Sequence, residues 1–269
     1  MGTTVFIGGG NMATALIGGI VRGGGRAADV LVVEPDAALR ERLQAAHGVA
    51  VLAAPDRSLA EATLVVWAVK PQVFADAAAG CAPHVAAALQ LSIMAGIRSA
   101  TVARASGSER VVRAMPNMPA LVGEGIAALF ATPAAGAADR MRCEALLAPT
   151  GQTLWVDREE ALDAVTALSG SGPAYVFYLL EAMIEAGTAL GLPAEQARQL
   201  AVQTVRGSAA LAAAASETPA ALRQRVTSRG GTTHAAIERL ESRAVRAAFV
   251  EAIAAANERA RELGDDLDR

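Results

Sequence analysis

Apolar residues in the first 156 positions alternate between two kinds of spacing. Short runs rich in valine, isoleucine and leucine predict strands, and the stretches between them, such as residues 12–22 and 37–46, have the spacing of helices. Strands that alternate with helices form parallel sheets with helices on both faces, so this half is predicted to be an α/β doubly wound sheet. Seven strands are predicted, over Thr4–Ile7, Asp29–Val33, Leu64–Val69, Gln90–Met94, Arg110–Met115, Ile126–Phe130 and Thr153–Val156.

After Val156 the strand pattern ends and alanine-rich helical periodicity continues through the rest of the chain. Glycine and proline interrupt it near residues 169–173, 191–193, 217–219 and 230–231, which predicts about five helices. Residues 175–186 are apolar around most of a helix circumference, as expected for a helix that an intertwined dimer buries. The change in pattern predicts a domain boundary between 1–156 and an all-α domain at 157–269, where Leu263–Arg269 would form a frayed polar tail.

Composition restricts the classes of function. Hydrophobic residues make up 53% of the chain, yet no apolar run approaches the roughly 20 residues that cross a bilayer. The start of the chain lacks a basic signal region, which predicts a soluble cytoplasmic protein. A net charge of −3 without a basic stripe favours small-molecule partners over nucleic acid. Cys81 and Cys143 lie far apart without metal-ligand spacing, so both are predicted to be buried fillers and no metal site is predicted.

A glycine-rich loop joins the first predicted strand to the first predicted helix. Gly8, Gly10 and Ala13 match the pattern G-x-G-x-x-A, in which the first glycine permits a tight turn and the second lets the backbone approach a pyrophosphate. Backbone N–H groups at the helix N-terminus, around Asn11 and Met12, would bind the phosphate charge. The loop therefore predicts a Rossmann-type dinucleotide-binding domain at 1–156; a glycine turn without a ligand is the alternative.

Two strand ends supply further candidate cofactor-binding residues. Glu34 follows the second predicted strand, where a carboxylate accepts hydrogen bonds from the adenosine ribose and favours NADH over NADPH, although Arg40 and Arg42 could pair with a 2′-phosphate. Ligands lie at the carboxyl ends of strands in such sheets, which adds a second set of candidates. This set comprises Ala68, Val69, Pro71 and Lys70, the last being the only lysine in the chain.

Three further segments are more specific than the glycine loop. They are Arg113–Ala120 (RAMPNMPA), Asp163–Tyr175 (DAVTALSGSGPAY) and Val226–Thr233 (VTSRGGTT). Together with the glycine loop and Ala68–Pro71, they closely resemble the pyrroline-5-carboxylate reductase family over nearly the whole chain. The resemblance implies reduction of a five-membered cyclic imine bearing a carboxylate, by hydride from NADPH or NADH, to L-proline, the last step of proline biosynthesis. It also implies a homodimer with interlocked helical domains, often assembled into a decamer, and adds Asn117 to the cofactor-binding candidates.

The segment around Gly230 and Gly231 is the candidate substrate site in the helical substrate-binding and dimerisation domain, 157–269. Two glycines before a helix predicted to begin near Thr232 would direct several backbone N–H groups to one point, which suits a carboxylate. The resemblance places Thr233 beside the imine nitrogen as the catalytic residue. Ser228, Thr232 and Glu124 complete the predicted substrate-binding set. The alternative is that the two threonines only cap a helix.

Two residues depart from the family pattern, and two alternative functions remain. Arg229 replaces a proline in the substrate loop, and Met118 replaces a threonine after Asn117. Another small Rossmann imine or 3-hydroxyacid dehydrogenase is one alternative function, but a 3-hydroxyacid dehydrogenase needs a lysine base and the helical half has no lysine. A non-catalytic nucleotide-binding regulator is the other, and it would have no use for the glycine–threonine loop.

Overall fold

A computed structural model describes residues 2–267 of the chain. Its first part contains an eight-stranded sheet in the order β3-β2-β1-β4-β5-β6-β7-β8. The strands are β1 (Thr3–Ile7), β2 (Val30–Val33), β3 (Ala50–Leu52), β4 (Ala62–Trp67), β5 (Leu89–Ser92), β6 (Val111–Met115), β7 (Gly125–Ala131) and β8 (Gly151–Trp155). The helices packed around them are α1 (Asn11–Arg22), α2 (Ala37–His47), α3 (Phe74–Val85), α4 (Ser99–Ser106), α5 (Ala137–Leu147) and α6 (Ala161–Val165).

The sheet confirms the predicted doubly wound α/β fold and corrects two details of the prediction. Strand β3 was missed because it has three residues, each partly or fully exposed, and so lacks a run of buried apolar residues. The sheet is also not wholly parallel, since β6 and β7 pair antiparallel. The segment between Met115 and Gly125 forms only a short 3-10 turn, which is too short for the crossover that a parallel pair requires.

The central strands are buried on both faces. In β4, Leu64 and Val66 point into one hydrophobic cluster, whereas Val65 and Trp67 point into the other. Covering helices on both faces explain why these strands appear in the sequence as continuous apolar runs and not as alternating ones. The carboxyl ends of β1, β2 and β4 therefore meet at one edge of a rigid sheet.

Both cysteines are buried, as predicted. Cys81 packs in one core cluster and Cys143 in the other. Burial raises the pKa of the Cys81 thiol to about 11. Burial also raises the pKa of Cys143 to about 12, and the nearby carboxylate of Asp139 adds to that effect. Both side chains are therefore uncharged apolar fillers at neutral pH.

A half-buried carboxylate connects the sheet to two of its helices. Glu159, just before α6, accepts hydrogen bonds from the backbone N–H and the hydroxyl of Ser99, each at 2.6 Å, and from Nη1 of Arg113 at 2.7 Å. Burial raises the pKa of Glu159, but the hydrogen bonds from Ser99 and Arg113 outweigh that effect and hold the pKa below its ordinary value. The carboxylate thus ties the start of α4 and strand β6 to the segment that leads into α6.

The remaining described helices are α7 (Gly172–Ala189), α8 (Ala194–Ala214), α9 (Pro219–Arg225), α10 (Thr232–Ser242) and α11 (Val245–Leu267). By packing, the chain forms two compact units, one of residues up to Ser171 with those from Ala256 onwards, and one of Gly172–Ala255. The sheet-containing unit extends beyond residue 156 because α6 packs against β6 and β7. Thus the end of the sheet and the division between compact units fall at different places in the chain.

The predicted frayed tail is wrong for the residues that the structure describes. Helix α11 continues to Leu267, whose side chain packs against one of the two core clusters of the sheet. Gly264 lies so close to Arg98 that an added Cβ would be 2.8 Å from its Nη2, so a larger residue there would displace the end of the Arg98 side chain. The polar residues of this segment lie on the outer face of an ordered helix; Asp268 and Arg269 lie outside the described residues.

Helix α7 is not buried by the rest of its own unit. Phe177 is 50% exposed and Tyr178 is 71% exposed, and none of the α7 residues falls in the buried class. Across residues 2–267, no helix combines the length and the apolar character needed to span a membrane.

Candidate active site

The turn after β1 requires a glycine at its first position. Gly8 has a φ of +99°, in the region that favours glycine, and its N–H donates to the carbonyl of Val33 at 2.9 Å. A Cβ at Gly8 would lie 2.7 Å from the carbonyl oxygen of Ala68. The tight turn that the sequence predicted at Gly8 is therefore set by the close approach of β1 to the end of β4.

Gly10 differs from Gly8 because nothing in the protein occupies the space beside it. It is the N-cap of α1 with a φ of −66°, and a Cβ there would meet no atom within 4 Å. The first turn of α1 carries no acidic residue, and no side chain caps its N–H groups. A helix N-terminus left open in this way attracts an anion. The residues present thus fit the pyrophosphate of a dinucleotide.

A cavity of about 660 Å³ lies beside this loop. The residues that border it come from the ends of β1, β2 and β4, from the segment after β3 and from α3. Six of the predicted cofactor-binding residues line it together, namely Gly8, Gly10, Glu34, Ala68, Val69 and Lys70. Asn11 and Met12 open helix α1, and Pro71 opens a 3-10 turn after Lys70; none of these three lines the cavity.

Sequence reasoning missed part of the cavity wall. Ala53, Ala54 and Pro55 line it because they follow β3, the short strand that was not predicted. Asp36 and Asp76 also line it, from the start of α2 and the first turn of α3. The G-x-G loop and Glu34 were the available signals for this region, and neither of them identifies these two aspartates.

The Glu34 carboxylate is held by backbone N–H groups. Its Oε2 accepts from Gly9 N at 2.7 Å and its Oε1 accepts from Asp36 N at 2.9 Å, and the residue is 8% exposed. Arg40 donates through Nη1 to the carbonyls of Glu34 and Pro35, at 2.8 and 2.7 Å. Glu34 therefore fixes the glycine loop to the end of β2 while it lines the cavity.

Asn117 lies away from this cavity, between β6 and the motif that precedes α7. Its Nδ2 donates to the carbonyl of Ser169 at 3.2 Å, and its Oδ1 accepts from Ile126 N at 3.0 Å. Ser169 belongs to a π-helical turn over Thr166–Gly170, a kind of irregularity that is frequent at functional sites. In this arrangement the Asn117 amide holds the Ser-Gly-Ser-Gly segment against the sheet.

The glycine–threonine loop lies in the other compact unit, Gly172–Ala255. Gly230 has a φ of +75°, and Gly231 donates its N–H to the carbonyl of Ser228 at 3.0 Å. Helix α10 begins at Thr232, as predicted, with Gly231 as its N-cap. Its first turn has no acidic residue and no side-chain cap, so its N–H groups form a site with the polarity that a carboxylate needs.

Neither threonine of this loop caps the helix. Gly231 takes the N-cap position, so Thr232 and Thr233 are the first two residues of α10. Thr232 is exposed and Thr233 is half-buried, and no residue in the range 2–267 forms a hydrogen bond with the Thr233 hydroxyl. Nδ1 of His234 lies 3.5 Å from Oε2 of Glu238 along the same helix. Of the two threonines, Thr233 is the half-buried one, and its hydroxyl remains available to a substrate.

Three other residues singled out in the sequence lie on the surface. Glu124 is exposed in the turn before β7, in the sheet-containing unit, and its N–H donates to the carbonyl of Pro119 at 3.2 Å. Met118 is exposed in the 3-10 turn after β6. Arg229 is exposed in the loop before α10. The structure describes no ion pair of Arg229 within residues 2–267.

Two family models match the chain in the regions that carry these sites. Residues 159–263 match the model described as pyrroline-5-carboxylate reductase dimerisation. Residues 3–96 match the model described as NADP oxidoreductase coenzyme F420-dependent. The first covers the glycine–threonine loop, and the second covers the dinucleotide loop and the residues that line its cavity.

Relatives cover the chain almost from end to end. A pyrroline-5-carboxylate reductase of Pseudomonas aeruginosa is 41% identical over 97% of this chain and 97% of its own length. A solved pyrroline-5-carboxylate reductase of Coxiella burnetii superposes with a TM-score of 0.90 at 35% identity, covering 97% of this chain and 98% of that one. A Plasmodium falciparum pyrroline carboxylate reductase with NADP bound has a TM-score of 0.87 at 26% identity, with 98% of each chain covered. Because a relative that is 41% identical covers 97% of this chain, the chain belongs to the pyrroline-5-carboxylate reductase family.

Proposed function

We propose that this chain reduces 1-pyrroline-5-carboxylate to L-proline with a hydride from NADH or NADPH. The observation that carries the proposal is the 41% identity to a named reductase over 97% of the chain. In the reaction the C=N carbon gains a hydride, the nitrogen gains a proton, and the nicotinamide is oxidised. The dinucleotide supplies the hydride when it is bound. The protein binds and orients the two reactants and excludes water from them.

The dinucleotide loop is the proposed cofactor site. The open side of Gly10 and the uncapped start of α1 fit a pyrophosphate, and the cavity beside them has room for an adenosine. Lys70, the only lysine of the chain, lines that cavity after β4 and supplies a positive charge. The predicted roles of Asn11, Met12, Pro71 and Asn117 in cofactor binding remain part of the proposal.

The start of α10 is the proposed site for the substrate carboxylate. N–H groups that follow Gly231 carry the positive end of the helix dipole, and no acid in the first turn opposes a negative ligand. Ser228 and Thr232 add hydroxyls on either side of these amides. Glu124 is retained as a predicted substrate residue.

Thr233 is the proposed catalytic residue because its half-buried hydroxyl can exchange a hydrogen bond with the imine nitrogen. A neutral threonine is too weak an acid to protonate the imine unaided. We therefore expect the substrate to bind as the iminium or to receive its proton through water. Thr233 then orients the ring and stabilises the nitrogen as it changes from imine to amine.

The helical part of the chain is the proposed dimerisation domain. The family model for dimerisation covers residues 159–263, and Phe177 and Tyr178 expose large aromatic surfaces on α7. Burying such surfaces against a second copy gives a homodimer with interlocked helices, and further assembly to a decamer follows the family resemblance. The functional division at residue 156 and a cytoplasmic location remain predictions from the sequence.

An assay of the purified full-length protein tests the proposal. Oxidation of NADH and NADPH is followed with and without 1-pyrroline-5-carboxylate, and L-proline is identified as the product. A rate that does not depend on the substrate would favour the nucleotide-binding regulator. Oxidation of a 3-hydroxyacid in place of imine reduction would favour the dehydrogenase alternative.

Thr233→Ala tests the catalytic site within the same assay. We expect kcat to fall about 100-fold, the order of magnitude for losing one positioned hydrogen-bonding group, with dinucleotide affinity unchanged. Thr233→Ser keeps the hydroxyl and is expected to retain most of the activity. Equal loss of dinucleotide binding in Thr233→Ala would remove Thr233 from the substrate site.

A further inference from the structure

Two carboxylates follow β2 at the wall of the dinucleotide cavity, and the structure gives them different surroundings. Glu34 is buried, and each of its oxygens already accepts a backbone N–H, from Gly9 at 2.7 Å and from Asp36 at 2.9 Å. Leu43 encloses the same loop, since a Cβ at Gly9 would lie 2.6 Å from its Cδ1 and 3.3 Å from Cγ of Glu34. Glu34 thus holds the glycine loop and the backbone of Asp36 in place.

Asp36 is the carboxylate with an available oxygen. It is exposed and caps α2, with Oδ1 accepting from Leu39 N at 3.1 Å. Its Oδ2 accepts no hydrogen bond from the part of the chain that the structure describes. Because its backbone N–H is bound to Glu34, this free oxygen is held at a fixed point of the cavity wall.

The two arginines that follow β2, Arg40 and Arg42, are absent from the cavity wall. Nη1 of Arg40 donates to the carbonyls of Glu34 and Pro35, and neither Arg40 nor Arg42 lines the cavity. Within residues 2–267, the charged side chains lining the cavity are those of Glu34, Asp36, Asp76 and Lys70. Three acids therefore oppose one base before a phosphate adds a further −1.5 to −2 or so of charge.

We infer that the chain selects NADH over NADPH, with Asp36 as the specificity-determining residue and Glu34 as a positioning residue. The inference rests on the proposed function, since it concerns the cofactor of that reaction. An unphosphorylated adenosine ribose presents hydroxyls that can donate to Oδ2 of Asp36. A 2′-phosphate presents only acceptors and negative charge to a carboxylate that can only accept.

A preference for NADH distinguishes this chain from one solved relative that holds NADP. The Plasmodium falciparum reductase holds NADP, but it is 26% identical to this chain, and the family resemblance fixes only the class of cofactor. The choice between the two dinucleotides depends on a few groups after β2. These groups lie in residues 3–96, which match a family model whose description names NADP. The preference for NADH is inferred from the carboxylates that follow β2 and not from that match.

Equilibrium binding to the full-length protein tests the inference without turnover. Dissociation constants for NADH and NADPH are measured by titration calorimetry, together with ADP-ribose and its 2′-phosphorylated form. We expect wild-type protein to bind the unphosphorylated member of each pair at least about tenfold more tightly, the effect of one nearby like charge at intermediate polarity. In Asp36→Asn, we expect the NADPH-to-NADH ratio of dissociation constants to fall about tenfold.

The two carboxylates offer a matched comparison. Asp36→Asn keeps an oxygen for Leu39 N, and asparagine is as good an N-cap as aspartate, so its melting curve should match wild type. Glu34→Gln places an amide donor against a backbone N–H, so it should weaken NADH and NADPH alike, and it should change their ratio much less than Asp36→Asn does because two backbone N–H groups already offset the Glu34 charge.

Three results would overturn the inference. The first is wild-type protein that binds NADPH as tightly as NADH. The second is an unchanged ratio in Asp36→Asn, and the third is a ratio that moves in Glu34→Gln instead, which would assign selection to Glu34. Binding of neither dinucleotide would overturn the proposed function itself, and the inference with it.

Discussion

Gly8 and Gly10 are the two glycines of the sequence motif, and they have different physical reasons to be glycine. At Gly8 the backbone is left-handed and a Cβ would contact the Ala68 carbonyl at 2.7 Å, so the protein itself excludes a side chain. At Gly10 the backbone is ordinary and the space beside it is open. Gly8 therefore serves the fold, and Gly10 keeps room for a ligand.

Alanine substitutions separate these two roles. Gly8→Ala is expected to lower the free energy of unfolding by about 3 kcal/mol, because it adds both backbone strain and a contact with a carbonyl. Gly10→Ala is expected to lower the melting temperature much less than Gly8→Ala does, since only an N-cap preference is lost. It should weaken dinucleotide binding about tenfold or more, because the methyl group occupies the path of the pyrophosphate. Thermal unfolding and calorimetric titration measure the two effects. A Gly10→Ala protein that binds normally would move the pyrophosphate away from this loop.

Glu34 shows what a residue type in a motif leaves open. The sequence places a carboxylate at the end of the second strand, where a ribose contact is the usual interpretation. The structure adds that both its oxygens accept backbone N–H bonds and that Asp36, two residues later, has the oxygen that is not used. Which of two nearby acids faces a ligand depends on side-chain packing, and a linear pattern does not record that packing.

Among the elements, one carboxylate links the sheet to the segments that begin α4 and α6. Glu159 connects Ser99 at the start of α4 with Arg113 on β6. Because Arg113 is buried, its positive charge depends on the Glu159 carboxylate for compensation. Removing one member of a buried ion pair is costly because the other remains charged without compensation.

Glu159→Gln is expected to lower the free energy of unfolding by about 3 kcal/mol at neutral pH. The pKa of Glu159 lies below its ordinary value in the folded protein, so its stabilisation is fully present above the unfolded-state pKa and is lost as the pH falls through the folded-state pKa. The difference in the free energy of unfolding between wild type and Glu159→Gln should therefore become smaller in acid. Denaturant unfolding across that pH range measures it.

Glu160→Gln is the matched control, because the neighbouring side chain is exposed and the same chemical change there should be nearly neutral. Equal losses in the two variants, or a difference between wild type and Glu159→Gln that does not change with pH, would contradict the role of Glu159.

For the whole molecule, the helical unit exposes large apolar side chains on α7. Phe177 is 50% exposed and Tyr178 is 71% exposed, so contacts within one chain leave much of the apolar surface of α7 accessible to water. The residues that match the dimerisation model, 159–263, include α7, which suggests that a second copy of the chain packs against it.

Tyr178→Glu tests the assembly. Wild-type protein is expected to sediment as a dimer or a larger oligomer at micromolar concentration, and the variant is expected to shift toward monomer because a carboxylate at a buried interface is strongly unfavourable. Gln44→Glu adds the same charge at an exposed position of α2 and should leave the sedimentation profile unchanged. A monomeric wild-type protein, or a Tyr178→Glu protein with an unchanged oligomer, would exclude α7 from the interface.

Local chemistry in the sequence was enough to predict the doubly wound sheet, the dinucleotide loop and the start of α10 at Thr232. Each of these depends on short-range rules, namely the burial of continuous apolar strands, the conformational freedom of glycine and the beginning of a helix after a glycine pair. The same rules missed the three-residue strand β3, which has no buried apolar run, and the antiparallel β6–β7 pair, which its short connection imposes. They also missed the ordered end of α11, because Leu267 packs against a core cluster distant in the chain.

The tertiary structure also decided which polar groups remain available to ligands. Glu34, Arg40 and Asn117 are engaged by the protein's own backbone, whereas Asp36 and Thr233 keep an oxygen without such a partner among residues 2–267. The sequence by itself determined the residue types at each site and, through them, the class of chemistry. Which atoms are still free to bind is set by three-dimensional hydrogen bonding, since a donor or acceptor satisfied within the fold gains little from a ligand.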